Sequence, residues 1–231
     1  MEDQSIALSF GNSLTEEVSG LAREYAEIGL DALLDDGLFK DIPFISTAIS
    51  MYRIGKSIRE RHYISKLIAF LDAINKGAAD EEKREEYREK FASNEKFRNQ
   101  ELEYILILID RYISFDKPQM LAKLYLAYLD GVIIWEEFTM YAEVIDRFLL
   151  LDCRTLVSEA TTFHTLRDSS ADIILRLVAL GLMAEDKSIT VTEARKAIKG
   201  ETRSASQMSS DSKKKKYRRT DFGRKLADIL R

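Results

Sequence analysis

Only two prolines, Pro43 and Pro118, interrupt the 231 residues, and most of the ten glycines fall near the ends of apolar-periodic stretches or ahead of Gly77. Proline removes a backbone donor and glycine weakens a helix, so a chain this poor in both is free to run through long helices. Hydrophobic residues make up 45% and charged residues 32%, which is enough apolar side chain to bury one substantial core or two modest ones. A mainly α fold is therefore expected.

After Asn12 and Ser13, the positions Leu14, Val18, Leu21, Tyr25, Ile28 and Ala32 recur at three- and four-residue spacing, and Ser13 with Glu16 forms a capping box. This predicts an acidic amphipathic helix to about Asp36. Residues 37–77 change character. The interval between Asp41 and Arg53 is uncharged, Pro43 suits a helix start, and Arg53, Lys56, Arg59, Arg61 and Lys66 follow. Such a segment is either a core helical hairpin or an interfacial one. In the second case Phe44, Ile45 and Ile49 with Arg53, Lys56 and Arg59 would contact a protein partner or a membrane surface. Residues 1–78 thus read as N-terminal amphipathic helices and the charge-dense residues 79–98 as a linker helix. A bundle of three helices at 99–152 comes next: a nearly all-apolar helix at 102–112, one opened by Asp116 and Pro118 and closed by Asp130 and Gly131, and one at 136–151.

From 153 the elements shorten. A helix is expected near 154–160 and another at 171–183, followed by a strand at 188–191, a strand at 216–220 and a helix at 221–230 capped by Thr220. The run ending LVALGLM, followed by KKKKYRRTDFGRKLADIL, resembles the second half of a winged helix, in which a helix, a two-stranded basic wing and a last helix follow one another. The resemblance implies a small winged-helix-like C-terminal module over 153–231. Residues of about 200–215 form an insertion too polar to order itself, which lengthens the hairpin beyond the usual wing. Winged helices bind DNA in many cases and serve as protein-docking or dimerisation modules in others. In its overall order of elements the chain is similar to bacterial helical proteins of mobile-element or phage-defence type.

Charge divides the chain. Residues 187–231 hold fourteen Lys or Arg against five Asp or Glu, while the remainder holds 21 against 34. A basic tail on an acidic body favours an anionic partner for the tail or attraction to the body itself. The candidate nucleic-acid contacts are Lys213, Lys214, Lys215, Lys216, Tyr217, Arg218 and Arg219, whose clustered cations could displace counterions from phosphates. The helix at 171–183 offers only Asp172 and Arg176 among apolar residues, too little for base readout.

Catalytic groups are scarce: His62 and His164 are the only histidines and Cys153 the only thiol. No phosphate-cradling loop, zinc motif or calcium loop is present, so no metal, cofactor or catalytic residue is assigned and a non-enzymatic protein is expected. A single cysteine, an acidic start and no apolar run of about 18 residues point to a cytoplasmic setting without a transmembrane span. Two functions follow as expectations: an interaction or effector protein, self-associating or binding a partner or a membrane surface, and a DNA-binding regulator acting through the basic wing.

Overall fold

The computed structural model describes residues 58–77, 89, 93, 95–164, 169–186 and 215–231. The acidic helix expected before Asp36, most of the linker at 79–98 and the insertion at about 200–215 lie outside the described residues. The chain is mainly helical, with seven helices and one small antiparallel sheet among the described residues. It divides into two compact units, Met1–Arg147 and Phe148–Arg231. No described helix is long and apolar enough to cross a membrane.

In the first unit, α1 (Ile58–Lys76), α2 (Glu95–Arg111), α3 (Asp116–Leu129) and α4 (Trp135–Arg147) pack together, with α1 chiefly against α3. The helical spacing of Ile64, Leu67, Leu71 and Ile74 places them on one face of α1, and all four are buried. They meet Leu121, Leu124 and Tyr125 of α3 and Ile105 and Ile109 of α2 in the buried core. Each such aliphatic side chain contributes about 1.5–3 kcal/mol by leaving water. Described residues of the segment read as either core or interfacial are therefore core from Ile64 to Ile74. Lys66, the last of the cations that follow the uncharged interval, is only 2% exposed. Its ammonium donates to the carbonyls of Asp110 and Tyr112 at 2.7 and 2.6 Å, satisfying the open end of α2.

The turn after α3 ends as its sequence requires. Gly131 adopts a φ of 69°, which glycine enters without a Cβ penalty, and its N–H donates to the Tyr128 carbonyl. At the start of α4, Glu137 accepts from the Ile134 N–H at 3.2 Å, so Glu136 and Glu137 form an acidic first turn.

Helix α4 stops at Arg147 rather than continuing to 151. Leu149 is extended (φ −89°, ψ 146°) and Asp152 accepts from its N–H, which starts a new helix, α5 (Leu150–Val157), about four residues earlier than the helix expected at 154–160. The second unit continues through β1 (Phe163–His164), α6 (Ser169–Ala179), β2 (Met183–Glu185), β3 (Lys216–Arg219) and α7 (Asp221–Leu230). Its sheet has the order β1-β3-β2, antiparallel throughout, with Phe163 opposite Tyr217 and Met183 opposite Arg219. The strand that pairs with β3 is Met183–Glu185, and residues 188–191, expected in that place, lie outside the described residues. Leu156, Ile174, Leu177, Leu182, Tyr217 and Leu226 are buried in this unit's core.

Thr220 joins the sheet to α7. Its hydroxyl accepts from the Gly223 N–H at 3.0 Å and donates to the Gly181 carbonyl at 2.7 Å, while its own N–H donates to the Leu182 carbonyl. Gly223 is buried against the Leu182 backbone so closely that a Cβ would overlap the carbonyl oxygen.

Candidate functional site

Strand β3 carries the described part of the basic tail, and alternation along it decides what each residue can reach. Tyr217 is 4% and Arg219 9% exposed, and only Arg218 between them faces outward. Arg219 donates from Nε to the Leu156 carbonyl at 2.6 Å and from Nη2 to the Ser158 carbonyl, with its guanidinium 5.1 Å from the Phe163 ring centroid. It thus closes the C-terminal end of α5, where a cation suits the helix dipole. Burial lowers its pKa from the ordinary arginine value. Tyr217 and Arg219, candidates for phosphate contact, are buried, because their place in an alternating strand turns them inward.

The neighbouring cations face carboxylates. Lys215 lies 3.4 Å from Glu185 and Lys216 lies 3.2 Å from Asp186 across the hairpin. Both carboxylates belong to β2 or follow it directly, so the positive field of these lysines is partly neutralised by the neighbouring strand. Lys213 and Lys214 lie outside the described residues.

Among the described side chains of α6 the exposed ones are Asp172, Leu175 and Ala179. The one basic residue of the helix, Arg176, points back into the unit. Its Nη2 lies 2.6 Å from Asp152 Oδ1 and its Nε lies within 3.1 Å of both carboxylate oxygens. Asp152 is fully buried and also caps α5. Hydrogen bonding to Asp152 raises the Arg176 pKa further. Leu149, Leu151 and Leu175 are each 54% exposed.

Of the N-terminal contact candidates, Phe44, Ile45, Ile49, Arg53 and Lys56 lie outside the described residues. Arg59 is exposed and paired with Asp110 at 3.0 Å, an ion pair worth little in water. Cys153 is buried, and among the described residues no group of three or more His, Cys, Asp or Glu could hold a metal ion.

A feature without a motif lies in the first unit. A cleft of ≈ 450 Å³ opens between α2 and the turn joining α3 to α4, lined by Gln100, Glu101, Tyr128, Gly131, Ile134 and Trp135 among others. Glu101 is 2% exposed and accepts from the Tyr128 hydroxyl at 2.6 Å. Burial, then that hydrogen bond and the charges of Glu101 and Glu136, push the Tyr128 pKa far up, so the phenol stays a donor. The rings of Tyr128 and Trp135 are 5.4 Å apart, and Trp135 stacks on Phe138 at 4.8 Å. Its sequence signal was confined to Glu101, an acid that directly precedes the apolar stretch at 102–109.

Comparison of the chain with protein-family models, with curated proteins and with solved structures finds no match.

Proposed function

We propose that this chain is a non-enzymatic interaction protein whose C-terminal unit is a winged-helix-like module used to dock onto protein rather than to read DNA. The sheet order β1-β3-β2, with α6 leading into β2 and α7 following β3, supports the winged-helix likeness. The observation that carries the docking reading is the use of the unit's arginines. Arg176, the one cation on the helix that would face a DNA groove, is bonded to buried Asp152, and Arg219 of the wing is bonded to backbone carbonyls. A reader of bases needs polar side chains directed outward from that helix, whereas among its described side chains α6 turns out Asp172, Leu175 and Ala179.

A mobility-shift assay on the full chain tests this. DNA should be retained only at low salt, equally for unrelated sequences, and changing Lys213, Lys214, Lys215 and Lys216 to Ala should remove that retention. A discrete complex with a selected sequence at moderate salt would sink the docking reading in favour of a DNA-binding regulator. Co-sedimentation with anionic vesicles on the same preparation separates a protein partner from a membrane surface.

A further inference from the structure

We infer that the outer seam between α2 and α4 receives a cationic amphipathic helix from a partner protein. This deepens the interaction reading above, on which it rests, by giving the first unit a partner of stated chemistry. The two helices run parallel in one register. The Tyr104 hydroxyl lies 3.4 Å from the Thr139 carbonyl and Arg111 is bonded to Asp146, each pair 35 residues apart in the chain. The same offset relates Gln100 to Trp135, which both line the cleft at the first end of the seam. From Gln100 to Arg111 the seam extends about 17 Å, or about three helical turns. A groove flanked by two parallel helices accepts the side-chain ridge of a third.

Apolar surface is left uncovered along this length. Ile107, set between Tyr104 and Arg111 on α2, is 52% exposed, and Met140, next to Thr139 on α4, is 56% exposed. Ile134 adds a third exposed apolar side chain at the cleft end. Charge then decides the kind of partner. Glu103, Glu136 and Glu143 are exposed on the same two helices, and none of the three is bonded to a cation among the described residues. Burial, then the charge of Glu143, raises the Tyr104 pKa, which puts that carboxylate beside the seam. Arg111, the cation within the seam, is already paired with Asp146. Three free carboxylates repel phosphate, which disfavours nucleic acid and anionic lipid, whereas Lys or Arg flanking the apolar stripe of a helix would meet them. The body of a second copy is disfavoured too, because residues 1–186 hold 21 Lys or Arg against 34 Asp or Glu. A free small cation would leave Ile107 and Met140 uncovered.

Anisotropy of a labelled peptide titrated with the full chain tests this. Three peptides of about four helical turns would be compared: one with a leucine stripe flanked by lysines, one with those lysines replaced by glutamate, and one with the leucines replaced by serine. Saturable binding is expected for the first, weakening as salt rises, with each of the others at least about tenfold weaker. Glu103→Gln, Glu136→Gln and Glu143→Gln together should weaken the first peptide about tenfold. Glu159→Gln, Asp221→Asn and Asp228→Asn together make an equal charge change at exposed sites of the other unit and should leave its binding within about twofold. Ile107→Ser with Met140→Ser, both on exposed positions, should weaken it as much as the three glutamate changes do. No saturable binding, equal binding of the glutamate peptide, or unchanged binding in either seam variant would overturn the site. Self-association of the full chain, or retention on anionic vesicles, that is lost on Ile107→Ser with Met140→Ser would overturn the partner helix as occupant. A discrete DNA complex at moderate salt would remove the docking reading without altering this titration, so the two failures are distinguishable.

Discussion

Single residues in this chain are fixed by what they must fit against, and Gly223 shows it most simply. The three atoms nearest to where an alanine methyl would stand are all backbone atoms of Leu182, which cannot rotate aside. Gly223→Ala should therefore lower stability by about 1–3 kcal/mol, seen as a reduced thermal midpoint with an unchanged native spectrum. An unchanged midpoint would mean that α7 does not press on the β2 approach as described. Lys66 makes the complementary point. Its long stem reads as amphipathic surface in sequence, yet its ammonium is spent on the carbonyls of Asp110 and Tyr112, far away along the chain. Periodicity could place Lys66 beside Leu67; it could not show that α2 ends with acceptors above that position.

Elements were legible where a pattern repeats. The buried stripe of α3, its closure at Asp130 and Gly131, the strand at 216–219 and the Thr220 cap all follow from spacing and turn chemistry. Three things escaped. The break between α4 and α5 lies in the apolar run Phe148, Leu149, Leu150, Leu151, where nothing local favours a stop; the signal is Asp152, which caps α5 and binds Arg176. Strand β1 has two residues and so no alternation to detect. The partner of β3 is Met183–Glu185, continuous with the helix's apolar tail in sequence and separated from it only by the turn at Gly181, whose φ is 74°. Asp152 thus joins two elements. Asp152→Ala should unpair Arg176 and uncap α5 together, lowering stability more than Ala at Arg59, whose exposed ion pair contributes little. Equal effects in the two variants would show that the α5–α6 junction does not depend on Asp152.

For the whole molecule, buried phenols set the alkaline limit. Burial raises the pKa of Tyr112 and Tyr128 far above the ordinary 10.0, and that of Tyr141 to about 12. Above pH 10 the unfolded chain gives up tyrosine protons that the folded chain retains, so stability falls as pH rises. Burial lowers the pKa of Lys66 and Lys117. Between those lowered values and 10.5 the unfolded state holds more protons, and stability rises with pH. The tyrosine effect is the larger and prevails above pH 10. Thermal midpoints should drop there, with Tyr112, Tyr128 and Tyr141 ionising only as the chain unfolds. Their ionisation with a native spectrum retained would contradict this.

At the same scale, the division of charge between tail and body was plain from composition, but its use was not. Sequence shows how many cations the tail carries, and only the paired strands show that Tyr217 and Arg219 turn inward while Lys215 and Lys216 face Glu185 and Asp186. The cleft is still less legible, because Glu101 and Trp135 lie on different helices and meet only through the packing of α2 against α4. The central claim is that the C-terminal arginines serve the unit's own fold instead of a nucleic acid. Arg219→Met, followed by thermal denaturation and by DNA retention at low salt, tests it most directly. A lower thermal midpoint with DNA retention unchanged is the predicted result; an unchanged midpoint with DNA retention lost would contradict it.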